Sequence, residues 1–387
     1  MISLSGATLS LILLQIGPPR AELGGTRDDS LLLLMLGIGL LLLSLLVQGL
    51  TRLVHPDREA DPNPSEGAAP AEYPAVELVS IAINEQATKP RMAATRPLLS
   101  VDVEDYFQTE AFSTVAPREA WESYSLRVVD NTKRLLDLFD VYDAKATFFV
   151  LGWVADRAPQ IVREISSRGH EVACHSYWHR TIYSLTPEVF RRDTRDAVKA
   201  IEDAAGVRVR GYRAPTWSIT RKSLWAINVL AEEGFEYDSS VYPVRHDLYG
   251  IPGAMTAPYV WKTGHRDLVE IPPATFSVGK MTFPAAGGGY LRIFPLSYSR
   301  MAIDQLAQRS QLPVVYLHPW EIDPEQPRLN GPWKSRLRQY WGLASFELKL
   351  TGLLASYRFV PFQQRWKDVA QSAPEIPFTM PGALVAS

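Results

Sequence analysis

Apolar and polar positions divide the chain into three stretches of different character. Residues 31–50 contain no charged side chain. That run is about as long as a helix needs to cross a bilayer, and it predicts one membrane-spanning helix within an N-terminal region of residues 1–54. Arg20 and Arg27 precede the run and Arg52 and Arg58 follow it, so the cations assign no orientation. Residues 55–97 are rich in proline and alanine and predict an extended tether without chemistry of its own. Met92 stands just before the first predicted strand; translation beginning there would leave a cytoplasmic protein without the apolar run.

From residue 98, short apolar runs alternate with segments of helical period, the pattern of an α/β domain. Residues 98–102 and 145–151 read as strands, and a helix over 131–140 lies between them with Leu135, Leu136, Leu138 and Phe139 as its apolar face. Pro159 opens the next helix and Gly169 closes it, after which a strand runs into His175. Thr186, Pro187 and Glu188 start another helix with a hydroxyl cap, a first-turn proline and an acid near the positive end of the dipole; Gly206 ends it. A strand and turn at 209–215, a helix over 222–233 and a strand at 235–238 come next. Residues 239–295 carry the turn formers Pro243, Pro252, Gly253, Pro272 and Pro273 and read as loops. Gly287, Gly288 and Gly289 lack the Lys-Ser/Thr of a phosphate loop and read as a mobile rim. The last strand spans 313–317, and 333–357 reads as helical. No internal repeat is apparent.

At 387 residues the chain can bury a sizeable core. A formal net charge of −2, with acids and bases interspersed, excludes a nucleic-acid binder that relies on phosphate neutralisation. Cys174 is the only cysteine, which removes intrachain disulfides and thiolate clusters. Any metal must therefore be held by His, Asp and Glu. Neighbours in a strand point to opposite faces, so Cys174 reads as a small buried hydrophobe rather than as a nucleophile served by His175.

Parallel α/β folds gather functional groups at the carboxyl ends of their strands. Here successive strands end in Asp102, Glu104 and Asp105, in His175 and His179, in Arg213 and Pro215, in Asp238 and in His318. Two imidazoles four apart can grip one divalent ion. Asp102 and Glu104, two apart on an extended chain, share a face, and a cation relieves their repulsion. One carboxylate and two imidazoles leave coordination positions open for water, the arrangement of metal-activated hydrolysis. The other carboxylate is placed to take a proton from that water, and His318 to give one to a leaving nitrogen.

Taken in order, these motifs resemble the polysaccharide deacetylases of the NodB-homology type, carbohydrate esterase family 4, over about residues 96–370. They are similar in particular to the exosortase-linked exopolysaccharide deacetylases, which carry Asp-Val-Glu-Asp-Tyr-Phe near the start, as at 102–107 here. The resemblance implies a distorted (β/α)7 barrel over 98–320 with a C-terminal extension over 321–387. It implies Asp102 as catalytic base, Glu104, His175 and His179 as metal ligands, Arg213 orienting the base, Asp238 tuning the acid, and His318 as general acid. Zn²⁺ is the default metal, while cobalt, nickel and iron suit the same ligands. The commoner first motif has two consecutive aspartates; Val103 intervenes here, so the ligand is Glu104 or Asp105. Glu104 is preferred because it shares a face with Asp102.

The implied reaction removes N-acetyl groups from an N-acetylated polysaccharide and releases acetate, with the oxyanion facing the backbone N–H of Thr216. Pro215, Thr216, Trp217, Tyr290 and Trp320 are the substrate-binding candidates, although aromatic rings are also ordinary core material. Two rival readings keep the fold. One is hydrolysis of a cyclic amide such as an allantoin-like ring. The other is a membrane-tethered glycan-binding protein without turnover, which would have no need of base, metal and acid together.

Overall fold

The computed structural model describes residues 96–378 except 247, 279, 280, 286 and 310. The apolar run at 31–50, nearly all of the tether and Met92 lie outside these residues. Among those described, no helix is long and apolar enough to cross a membrane.

β1 (Leu98–Val103) is buried along its whole length, as a strand covered on both faces must be. α1 (Val128–Val141) follows, burying Leu135, Leu136 and Phe139. β2 (Thr147–Val150), α2 (Gly152–Arg157), α3 (Pro159–Ser167), β3 (Glu171–Cys174) and α4 (Pro187–Ala205) continue the alternation. The Thr186 hydroxyl caps α4 by accepting from Val189 N–H, and Gly206 ends it at φ 68°, in the left-handed position that spares a side chain. Ile161, Val162, Ile165, Phe190 and Ile201 of these helices are fully buried, each worth about 1.5–3 kcal/mol relative to exposure. β4 (Gly211–Tyr212), α5 (Trp225–Glu232) and β5 (Tyr237–Asp238) come next.

Residues 239–295 depart from the loop reading. They form β6 (Tyr259–Lys262), β7 (Leu268–Glu270), the hairpin of β8 (Thr275–Val278) and β9 (Met281–Pro284), and α6 (Gly288–Ile293). Strands of three or four residues offer too few alternations for a period to register. The chain continues through α7 (Leu296–Gln308), β10 (Val314–Leu317), α8 (Trp333–Tyr340), α9 (Leu343–Leu354), α10 (Trp366–Ser372) and β11 (Glu375–Pro377). The helical stretch read over 333–357 is thus two helices, broken at Gly342. That residue has φ 78°, and a Cβ on it would lie 2.5 Å from the Arg292 carbonyl oxygen, so glycine is required.

The sheet order is β10-β1-β2-β3-β4-β5-β7-β6-β11. The first seven strands are parallel, in keeping with the expected α/β fold of (β/α)7 type; β6 is antiparallel to β7 and parallel to β11. Past β7, Ala274 N–H donates to Val314 O at 3.3 Å and Gly287 bridges Tyr316, which joins the two ends of the parallel set. Gly287 is therefore no mobile rim: a Cβ there would lie 2.3 Å from Tyr316 O. Leu98, Phe149, Ala173, Tyr237, Val269 and Val314, one from each of six strands, form an interior cluster together with Phe362. Phe362 stacks on Tyr237 at 5.4 Å and its N–H donates to Thr147 Oγ1. Thr147 begins β2, so this plug fills the amino end of the strands and leaves the carboxyl ends to the polar groups.

Candidate active site

β3 delivers His175 to the carboxyl end of the sheet, and the loop after it turns back through unusual backbone. Ser176 and His179 adopt φ 67° and 49°, left-handed values that are uncommon for residues with a Cβ and that mark sites where geometry is imposed. Four hydrogen bonds hold the turn. Arg118 donates to the carbonyls of Trp178 and His179 at 2.6 and 2.8 Å, Tyr177 N–H donates to Asp193, and His179 N–H donates to Ser176 Oγ. His175 Nδ1 lies 2.8 Å from the Arg213 carbonyl, which only accepts. Nδ1 therefore carries the proton and Nε2 keeps a lone pair. Burial pushes the pKa of His175 down to about 4, so it is neutral and able to ligate. The adjacent Cys174 is wholly buried in the apolar core, and burial pushes its thiol pKa far up; it is no nucleophile.

Glu104 follows β1 and meets the two histidines. Ligand atoms of Glu104, His175 and His179 lie within 4.8 Å of one another, and all three residues are buried. Glu104 Oε2 is 2.7 Å from His179 Nε2, a contact without hydrogen-bond geometry, and both Glu104 Oε2 and His179 Nδ1 are buried without a hydrogen-bond partner. Burial raises the pKa of Glu104, but His179, His318 and His175 outweigh it and bring the group down to about 2. A buried carboxylate beside two imidazoles, with donor atoms left unsatisfied, is the condition a divalent cation relieves. The residues fit such an ion.

Asp102, on the last turn of β1, accepts from Arg213 Nη1 at 2.6 Å. Arg213 is completely buried and spends its other donors on Ser100 Oγ, Ser239 Oγ and Ser239 O. Its guanidinium lies between the rings of Phe149 at 4.0 Å and Trp217 at 4.6 Å. A planar fork clamped on all sides fixes the carboxylate it holds.

His318 ends β10 on the far side. Glu321 Oε2 accepts from both His318 N and His318 Nδ1, at 2.9 and 3.1 Å, and Glu321 Oε1 accepts from Arg292 Nε at 2.6 Å. Arg292 is anchored in turn to the carbonyls of Arg338, Gln339 and Trp341. Burial opposes charge on His318, but Glu321, Glu104 and Asp102 overcome it and raise the pKa to about 9. With Nδ1–H committed, Nε2 faces Glu104 Oε1 at 3.8 Å and Asp102 Oδ2 at 4.0 Å. An oriented carboxylate and a cationic imidazole thus border one buried metal-type triad.

Residues 122–236 match the family model described as polysaccharide deacetylase, and residues 239–367 match a domain of unknown function, DUF3473. Residues 122–236 are thus similar to a polysaccharide deacetylase domain. It is 24% identical over 146 residues to a peptidoglycan-N-acetylglucosamine deacetylase of Bacillus cereus, covering 35% of this chain and 52% of that protein. It is 32% identical over 108 residues to a peptidoglycan deacetylase of Helicobacter pylori, covering 28% of this chain and 36% of that one. The chain thus spans about half or less of the curated relatives it matches. A solved Mycobacterium smegmatis structure assigned as a polysaccharide deacetylase is similar with a TM-score of 0.51 and 21% identity, over 82% of this chain and 99% of that one; the likeness is one of fold.

Within the deacetylase match lie His175, His179 and Arg213, whereas Asp102 and Glu104 precede it and His318, Glu321 and Arg292 fall in the DUF3473 region. The fold does not bring Asp238 into the cluster. Its neighbours Tyr237 and Ser239 point inward, to the interior cluster and to Arg213, so Asp238 faces the other way and pairs across strands with Glu270. The residue that touches the acid is Glu321. Asp105 is likewise placed elsewhere: it accepts from the backbone N–H groups of Tyr106, Arg127 and Val128, capping α1.

Of the substrate-binding candidates, Trp217 and Trp320 are 6% and 5% exposed and act as walls rather than open platforms. Trp217 packs on Tyr242 and Tyr316. Trp320 stacks on His318 at 5.0 Å and donates Nε1–H to Glu104 Oε1 at 3.1 Å. Pro215 is buried and Thr216 half-buried. Thr216 has φ 55° in a turn whose hydrogen bonds run from Trp217 and Ser218 N–H. Tyr290, half-buried on α6, stacks with Phe294. Glu321 and Arg292 escaped the sequence reading, although Glu three residues after His318 is a capping-box spacing.

Proposed function

We propose that this chain is a metal-dependent hydrolase that removes N-acetyl groups from an N-acetylated exopolysaccharide and releases acetate. The observation that carries the reading is the convergence of the buried Glu104, His175 and His179 with an oriented carboxylate on one side and a cationic histidine on the other. A divalent ion, Zn²⁺ by default for two imidazoles and one carboxylate, would be held by those three residues and, when bound, supplies polarisation of an acetamide carbonyl and of water.

The remaining steps belong to the chain's own side chains. Arg213 fixes Oδ1 of Asp102 and leaves Oδ2 to take the proton of the attacking water. Glu321 holds Nδ1–H of His318, so Nε2–H is the proton given to the departing amine as the C–N bond breaks. Acetate and an amino sugar result. The backbone N–H of Thr216, left aside by the turn's own bonds, is the proposed donor to the developing oxyanion.

The relatives described as peptidoglycan deacetylases support an N-acetylated glycan as the substrate class. The run from Asp102 to Phe107 supports the exosortase-linked exopolysaccharide subgroup, and the apolar run at 31–50 supports membrane anchoring. The test is acetate release by the purified full chain from N-acetylated oligosaccharides and exopolysaccharide, run beside cyclic ureides. Acetate from the glycans in the metal-loaded chain and not in the stripped chain is expected. Ureide hydrolysis without acetate release, or no turnover of any substrate by metal-loaded chain, would overturn the reading.

A further inference from the structure

α8 is short, basic and aromatic, and its apolar residues face outward. Trp333, Leu337 and Trp341 are 69%, 47% and 43% exposed, whereas Gln339 is buried. At about 100° per residue Trp333 and Leu337 fall about 40° apart in a stripe on the side opposite Gln339, and Trp341, the residue that caps the helix, follows them. Lys334 and Arg338 fall on one flank of the stripe and Arg336 on the other. Between residues 326 and 346 the sequence has four cations, Arg328, Lys334, Arg336 and Arg338, and no acid.

The stripe continues onto neighbouring elements. Arg292 at the end of α6 binds the carbonyls of Arg338, Gln339 and Trp341, and Lys349 binds the carbonyls of Arg292 and Phe294. These bonds set the exposed Ile293, Phe294 and Leu348 beside it. An apolar patch of this kind marks an interaction surface.

We propose that this face seats on the surface of an anionic lipid bilayer. Tryptophan and leucine flanked by lysine and arginine suit the level of the headgroups, where an indole is half-immersed and cations meet lipid phosphate. The positive charge of α8 selects an anionic surface over a neutral one, each cation strengthening binding about fivefold near such a membrane. A second copy of the same positive face would repel. Because Arg292 ties α8 to Glu321 and His318, docking would also hold the acid side of the cavity near the membrane.

Cys174 is the only cysteine and is buried, so Leu337→Cys gives the full chain one accessible label position; Val141→Cys, at a residue 76% exposed, serves as control. A nitroxide at 337 is read for accessibility to oxygen and to an aqueous nickel relaxant. In vesicles of phosphatidylcholine with phosphatidylserine, the label at 337 should become oxygen-accessible and nickel-shielded while that at 141 does not change. Lys334→Gln with Arg336→Gln should weaken this transfer about 25-fold, and high salt should reverse it. Equal immersion in phosphatidylcholine alone, no immersion in vesicles that carry the chain, shielding by soluble anionic polysaccharide without lipid, or shielding by self-association would each overturn the proposal.

Discussion

Replacing Glu321 by glutamine separates a positioning carboxylate from a packing residue. Glu321 is fully buried between Arg292 and His318, and its hydrogen bond leads the contributions that raise the pKa of His318 to about 9 against burial. Without that charge only Glu104 and Asp102 remain to oppose burial, and the imidazole is expected to fall toward its ordinary value near 6.5. At pH 8 the protonated fraction would drop from about 0.9 to about 0.03, a loss of roughly 30-fold in an acid-dependent rate. A metal ion on Glu104 withdraws one supporting charge from wild type and variant alike, so the difference between the two is the quantity to read. The assay is the pH dependence of kcat/KM for acetate release from pH 5 to 10, with bound metal and Tm measured in parallel. Removing Glu321 strands the buried Arg292, at a cost of about 3–5 kcal/mol, so a lower Tm is expected. Retained metal and an alkaline limb moved down by about 2.5 units are predicted. An unmoved limb in folded, metal-loaded variant would refute the assignment of His318 as the acid under Glu321's control. The same linkage has a stability side. The folded pKa of His318 is raised, so its contribution is full below about pH 6.5 and is lost as pH rises through about 9.

Asp102→Asn should lower kcat by at least about 100-fold while the chain still binds its metal, whereas His175→Ala should lose both; equilibrium dialysis beside acetate release distinguishes the two. His170 accepts from Ala146 N–H, and burial drives its pKa down to about 4. It therefore contributes stability that is present above about pH 6.5 and lost as pH falls through 4. The adjacent Glu171, raised by burial to about 7, has the opposite slope: its contribution is present below about pH 4.5 and is lost as pH rises through 7. His170→Gln should thus leave a chain whose Tm falls with rising pH between about 4.5 and 7 more steeply than wild type, and an unchanged slope would count against this pairing. Gly287→Ala, with φ 125° and Tyr316 O at 2.3 Å from the new Cβ, should lower Tm and acetate release together, because the contact it breaks braces the strand that ends in His318.

Most of what positions the site is written locally. The caps at Thr186, Pro187 and Gly206, the apolar faces of α1, α3 and α4, and the histidine pair after β3 each leave a periodic or spaced trace. The preference for Glu104 over Asp105 rests on the strand face it shares with Asp102, and the structure agrees with it for a non-local reason: imidazoles stand across from Glu104 and the N-terminus of α1 across from Asp105. Asp238 misled for a related reason. Ending a strand does not say which face a residue takes, and Tyr237 and Ser239 claim the inner one. The Arg292–Glu321–His318 chain joins residues 29 positions apart through α6, whose Gly288-Gly289 start disguises a helix. The strands of 259–284 are too short for alternation to declare them.

Bound metal and acetate release, measured together on the purified full chain, decide whether Glu104, His175 and His179 form a working metal site. About one divalent ion per chain is expected, with loss of acetate release when it is stripped and parallel recovery of both as metal is returned, and with His179→Ala failing in both. Acetate release at full rate from metal-free chain, or undiminished metal binding in His175→Ala and His179→Ala, would contradict it.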